Sequence, residues 1–290
     1  MDLQNFWDIY GNLVLTLGTN TLLALSIWLT LDCGMLAVAN AAFMGIGAYT
    51  SALLTMHYAH YGVPFTVSLA GGVIMPAIVA VIIGLPVIRL SGVYLAMATL
   101  AFGEVVRVFI LNTESWTGGA MGLNGIPQNT LWWHVLLAVV LVLFVLRRVR
   151  VSKIGRAFVA IRGDETAASL MGIDVRARKM QAFVAGAAIA GLAGALEAHL
   201  TFFISPGEFG FDRGVEILTM AILGGIGGLV GPVLGAIIIT LLPEVLRGLA
   251  NYRLMVNGVI LVLIVLFLPQ GIWDPARFKR WLARKKATHA

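Results

Sequence analysis

LWWHVLLAVVLVLFVLRRVRVSK, residues 131–153, holds the transition on which the fold depends. From Leu131 to Leu146 there is no Asp, Glu, Lys or Arg; then Arg147, Arg148, Arg150 and Lys153 follow closely. An apolar run that ends in a group of bases reads as a membrane helix meeting water on the side where Lys and Arg collect. Working outward, similar runs lie at about 12–31, 35–56, 65–88 and 93–111 before it, and at about 181–204, 215–246 and 254–268 after it. The chain is 59% hydrophobic and 12% charged, with a mean hydropathy of +0.92. So few charges cannot clothe a water-soluble fold of 290 residues. The expected class is all-α, a polytopic transmembrane helix bundle of about eight or nine spans. Residues 1–290 form one transmembrane domain, with a loop at 147–180 and a basic tail at 274–290.

Charge sets the expected orientation. Fifteen of the twenty Lys and Arg lie in the 147–179 segment and the tail, so both are expected in the cytoplasm. The net charge of +6 is concentrated there, which argues for membrane topology and against nucleic-acid binding. Five spans before the loop put the N-terminus outside. Four after it put the tail inside, provided that the long block 215–246 counts as two, broken at Gly224-Gly225-Ile226-Gly227-Gly228. The alternative makes the second segment, interrupted by Gly45 and Gly47, or the glycine-rich block re-entrant. The first residues, MDLQNFWDIYGN, carry no base and no cleavage signature, so the first run reads as a retained helix. Cys33 is the only cysteine, which excludes an intrachain disulfide.

No catalytic residues and no metal site are expected. His57, His60, His134, His199 and His289 are scattered without ligand spacing. No Gly-Lys dipeptide occurs, so there is no Walker A loop to cradle ATP phosphates. The chain is therefore expected to hold no cofactor, with any ATP-Mg bound by another subunit.

The loop is the most informative segment. GDETAASLMG, 163–172, places a helix cap at Asp164 and a stop at Gly172. Between them Ala167, Leu170 and Met171 share one face. A helix this short cannot cover that face, which needs the membrane surface or a partner.

Intramembrane polar residues are few. Glu104 and Arg107, three apart, form either a polar site in a pathway or a local ion pair near the outer end. Glu197, with His199 nearby, should face the bundle interior. Asn40, Phe43 and Tyr49 in the small-residue second run are candidates for lining a path, with ordinary packing as the other reading. Gly186, Ala190 and Gly194, beside Ala187 and Gly191, have the spacing of close helix packing.

Ala167-Ala168 followed by Gly172 resembles the coupling loop of ABC importer permeases, although Thr166, not an acid, directly precedes the alanines. GMLAVANAAFMGIGAYTSALL (34–54), RLSGVYLAMATLAFGEVVR (89–107), TGGAMGLNGIP (117–127), GRAFVAIRGDETAASLMGI (155–173) and GGIGGLVGPVLGA (224–236) resemble the LivM-type permeases of branched-chain amino acid importers. The resemblance implies a bacterial inner-membrane subunit. Its implied partners are a second, LivH-like permease, two ABC ATPases, a periplasmic binding protein and membrane lipid. It makes the helix of Asp164, Glu165, Ala167, Ala168, Leu170, Met171 and Gly172 the element that docks on the ATPase. Related permeases carry urea, amides or aromatic acids, so the solute stays open. A stand-alone secondary transporter would need mid-membrane coupling carboxylates and two similar halves. Only Glu104 and Glu197 are candidates for the first, and no repeat is evident.

Overall fold

A computed structural model describes residues 3–57, 64–245 and 272. Its helices in chain order are α1 (Leu3–Asp32), α2 (Asn40–His57), α3 (Phe65–Val87), α4 (Gly92–Asn112), the single turn α5 (Glu114–Thr117), α6 (Trp132–Val151), α7 (Lys153–Gly163), α8 (Glu165–Leu170), α9 (Val175–Thr201), α10 (Phe211–Gly224) and α11 (Val230–Val245). Residues 11–32 of α1, together with α3, α4 and α9, are long and apolar enough to cross a bilayer.

The bundle is built around α9, against which α1, α2 and α3 pack. Glycine makes this approach possible. A Cβ at Gly47 would overlap the Gly191 backbone, and one at Gly194 would overlap the backbone of Met44. Lipid gives no hydrophobic drive between helices, so backbone-to-backbone van der Waals contact carries much of their association. The small-residue series on α9 is this packing surface: Gly186 faces the Ser26 carbonyl of α1, while Gly191 faces Gly72 and Pro76 of α3. The outward faces of α3, α4 and α6 are apolar and exposed, including Ile82, Leu85, Met97, Phe109, Leu136 and Phe144. Such a surface suits hydrocarbon and would be a liability in water.

Several expectations shift. Gly45 and Gly47 do not interrupt α2, which is a continuous helix; residues 35–39 form an irregular lead-in instead. The helix expected from 181 begins at Val175, because Asp174 caps it by accepting the Ala177 amide at 3.0 Å. Arg176, Arg178 and Lys179 are thereby drawn into its first turns. The glycine-rich block divides into α10 and α11, as expected, with the break at 225–229. At 14 residues α10 is about 21 Å long, short of a full crossing of a roughly 30 Å core. Residues 123–124 (β1) and 203–204 (β2) form a small antiparallel pair joining the loops after α5 and α9, which no sequence pattern announced. The last expected span at 254–268, the basic tail at 274–290, and His60 and His289 lie outside the described residues.

Candidate functional site

The loop after α6 folds as two helices and a turn. Ser152 caps α7 by accepting the Ile154 amide, and Asp164 caps α8 by accepting the Ala167 amide at 2.9 Å. Gly172 has φ +80°, the left-handed conformation that ends a helix at low cost only for glycine. The expected cap and stop are therefore both present. The surface of α8 divides sharply. Leu170 and Met171 are each 83% exposed, and Ala167 is exposed too, whereas Ala168 is 4% exposed and turned into the protein. The uncovered apolar surface is Ala167, Leu170 and Met171; Ala168 serves the internal packing of the loop.

Ion pairs anchor this loop to the bundle. Glu165 on α8 accepts from the buried Lys179 of α9 at 2.7 Å. Arg162, at the end of α7, donates to the buried carboxylate of Asp32 at 2.9 Å, and a Cβ at Gly34 would touch the Arg162 Cα at 3.0 Å. Arg150 of α6 donates to the Gly227 carbonyl in the α10–α11 turn and lies over the Trp28 ring at 5.6 Å. The Trp28 indole N–H donates to the Ile226 carbonyl at 3.0 Å. The last turn of α1, from Trp28 to Asp32, is thus the common seat for the loop helices and for the glycine turn. Sequence reasoning missed this seat. Its available signal was a carboxylate, Asp32, at the end of an apolar run on the side where the bases collect.

Next to Asp32, burial pushes the Cys33 thiol up to about 12, offset in part by Lys179. The thiolate is the reactive form, and burial keeps the thiol protonated at neutral pH. The native chain should resist a water-soluble maleimide at pH 7 while folded and label fully in denaturant. Rapid labelling of the folded chain, followed by mass shift, would contradict the burial of this end of α1.

The intramembrane candidates separate into two groups. Glu104 pairs with Arg107 at 3.0 Å and also accepts the Phe211 amide at 3.1 Å, joining α4 to the start of α10. The ion pair is thus present and extends to a neighbouring helix. Glu197 lies 3.5 Å from Arg213, a residue that sequence reasoning overlooked. Arg213 donates to Glu216 and to Asn20, each at 2.8 Å, and Asn20 in turn donates to Thr240 at 2.8 Å. One network therefore ties α1, α9, α10 and α11 together. His199 is fully buried against Ser51, Thr55 and the Pro127 carbonyl, and among the described residues no hydrogen bond joins it to the Glu197 network. Among the described residues no group of three or more His, Cys, Asp and Glu could hold a metal ion.

Asn40, Phe43 and Tyr49 are all buried inside this chain's own bundle. Asn40 donates to Ser26 at 2.7 Å, Phe43 lies between Phe102 and Phe183, and Tyr49 meets Phe209 edge-on. Their contacts are those of packing, and none of them lines either of two open cavities formed by the described residues. The wider cavity, about 640 Å³, opens between Asn12 and Thr16 of α1, the 128–131 segment and the end of α9. A second, about 490 Å³, lies under the loop between α7 and the start of α9.

Apolar helices with lipid-compatible outer faces, a close-packed centre and a loop helix offering apolar side chains define a polytopic membrane protein of the permease type. The sequence agrees: residues 9–268 match the family described as "Branched-chain amino acid transport system / permease component", and the chain belongs to that family. It is similar to the high-affinity branched-chain amino acid transport system permease protein LivM of Escherichia coli (strain K12), 35% identical over 96% of this chain and 70% of that one. LivM of Salmonella typhimurium is 34% identical with the same coverage. The LivH permease of the same E. coli system is 34% identical over 50% of this chain and 46% of its own length. No solved structure matches the chain.

Proposed function

We propose that this chain is one of two permease subunits of an ATP-driven importer in the bacterial inner membrane, carrying branched-chain or related small amino acids. The similar proteins LivM and LivH are named as permeases of one branched-chain system, which supports a heterodimeric pair. The observation that carries the reading is the helix α8: capped, clamped at Glu165 and Arg162, and left with Leu170 and Met171 in the open. An apolar knob held rigidly in a basic loop suits a cleft on a cytoplasmic ATPase, with two such ATPases in the assembly. A periplasmic binding protein would supply the solute. ATP hydrolysis belongs to the ATPases, since the chain has no Walker A loop. The basic loop end is the cytoplasmic end, by its charge. The transport path lies at the junction with the second permease. Asn40, Phe43 and Tyr49 reach it only if the helices around α2 separate during the cycle, whereas Glu104 and Glu197 keep part of their side chains uncovered.

The test is reconstitution of this chain with its second permease, two ATPases and binding protein in proteoliposomes. Leucine uptake is expected only with ATP on the ATPase side and only with all components. The chain alone should hydrolyse no ATP. Leucine uptake by the chain alone, driven by an ion gradient, would favour the secondary-transporter reading instead.

A further inference from the structure

The cavity beneath the loop is lined by Lys153, Arg156, Ala157, Gly172, Ile173, Asp174 and Arg178. Three cations thus face one shallow space with a single carboxylate. That carboxylate is engaged, because Asp174 caps α9 through the Ala177 amide. Among the described residues no acid neutralises these cations: Arg156 donates to the Val151 carbonyl at 3.0 Å and Arg178 to the amide oxygen of Gln181 at 2.8 Å. Lys153 makes no ion pair among the described residues. Uncompensated positive charge gathered around a cavity calls for an anion.

Its position says which. Lys153 follows directly on α6, whose exposed apolar surface runs through Leu137, Leu141, Phe144 and Val145 and ends at Val151, 72% exposed. Arg178 lies in the first turn of α9, just before its apolar length. The cavity therefore sits where hydrocarbon-facing helix gives way to basic loop, the level of lipid headgroups. Basic pockets between helices at this depth suit anionic headgroups. We propose that this cavity binds the phosphate of an anionic phospholipid, with its acyl chains along the apolar face of α6. The bound lipid would brace α7 against α9 beneath the coupling helix. The site stands whether or not α8 docks on an ATPase, since it needs only the cavity and the bilayer.

The experiment is native mass spectrometry of the full chain from detergent micelles, titrated with phosphatidylglycerol or phosphatidylcholine. The wild type should retain one phosphatidylglycerol in preference to phosphatidylcholine. The triple variant K153Q/R156Q/R178Q should bind it about a hundredfold more weakly, from roughly a fivefold loss per base. The double variant R147Q/R176Q removes nearby charge that does not line the cavity and should change binding less than threefold or so. Circular dichroism confirms that each variant is folded. Equal binding by the triple variant overturns the proposal. So does an equal loss in R147Q/R176Q, which would mean a diffuse basic surface. Displacement of the lipid by millimolar inorganic phosphate would assign the cavity to a free anion. Loss of ATPase co-purification by the triple variant, without any lipid preference in the wild type, would make it a protein contact.

Discussion

Leu170→Asp with Met171→Asp should abolish coupled uptake. Both side chains are 83% exposed on a helix whose other contacts are satisfied, so the double change leaves the internal packing of the loop intact. Docking would bury them, at about 1.5–3 kcal/mol for each apolar side chain. Two charges in their place should weaken ATPase association by more than about a hundredfold. Uptake should fall to background, and the ATPases should no longer co-purify, while the variant subunit still inserts and keeps its helix content. Normal uptake with both aspartates present would remove α8 from the coupling role. The neighbouring Ala168→Leu tests something else. Ala168 faces inward, so this change should disturb the loop fold first. Gly172→Val should distort the exit from α8 by backbone strain alone, of about 1–3 kcal/mol, since nothing lies within 4 Å of an added Cβ.

Arg213→Met should destabilise the bundle most among single changes in its interior. It would leave Glu197 and Glu216 without their common cation and free Asn20 from its donor. Removing one partner of a fully buried ion pair costs roughly 3–5 kcal/mol, because the remaining charge keeps its desolvation cost; these side chains are 16–24% exposed, so the lower end of that range applies. The thermal midpoint in detergent should drop on the order of 10 °C, read by light scattering or size-exclusion fluorescence. Adding Glu197→Gln and Glu216→Gln to Arg213→Met should restore much of the loss, since neutral amides need no counter-ion. An unchanged midpoint in Arg213→Met alone would mean that the network does not hold α10 against α1 and α9.

These two experiments probe features of different legibility. The loop helix was readable because its signals are local. A capping aspartate, a three-and-four-residue apolar spacing and a terminal glycine act within one turn of backbone, and each is found where expected. Which of its small residues turns inward was not readable, because Ala167 and Ala168 differ only in what lies against them. The network around Arg213 was invisible for a related reason. Asn20, Glu197, Arg213, Glu216 and Thr240 come from four helices, and nothing in their spacing announces that they meet.

By itself the sequence determined that this is a bundle of apolar helices in a membrane, with its bases gathered in one loop and the tail. Hydropathy, charge and backbone conformation are properties of short stretches, and they suffice for that. Only the tertiary structure decided that α9 is the centre and that the end of α1 seats the loop and the glycine turn. It also placed Asn40, Phe43 and Tyr49 in packed interior. Those outcomes depend on which backbones come close enough to touch, as at Gly47 with Gly191 and Gly194 with Met44. In lipid the energy of assembly lies in that fit between helix surfaces, and no single helix carries it in its own sequence.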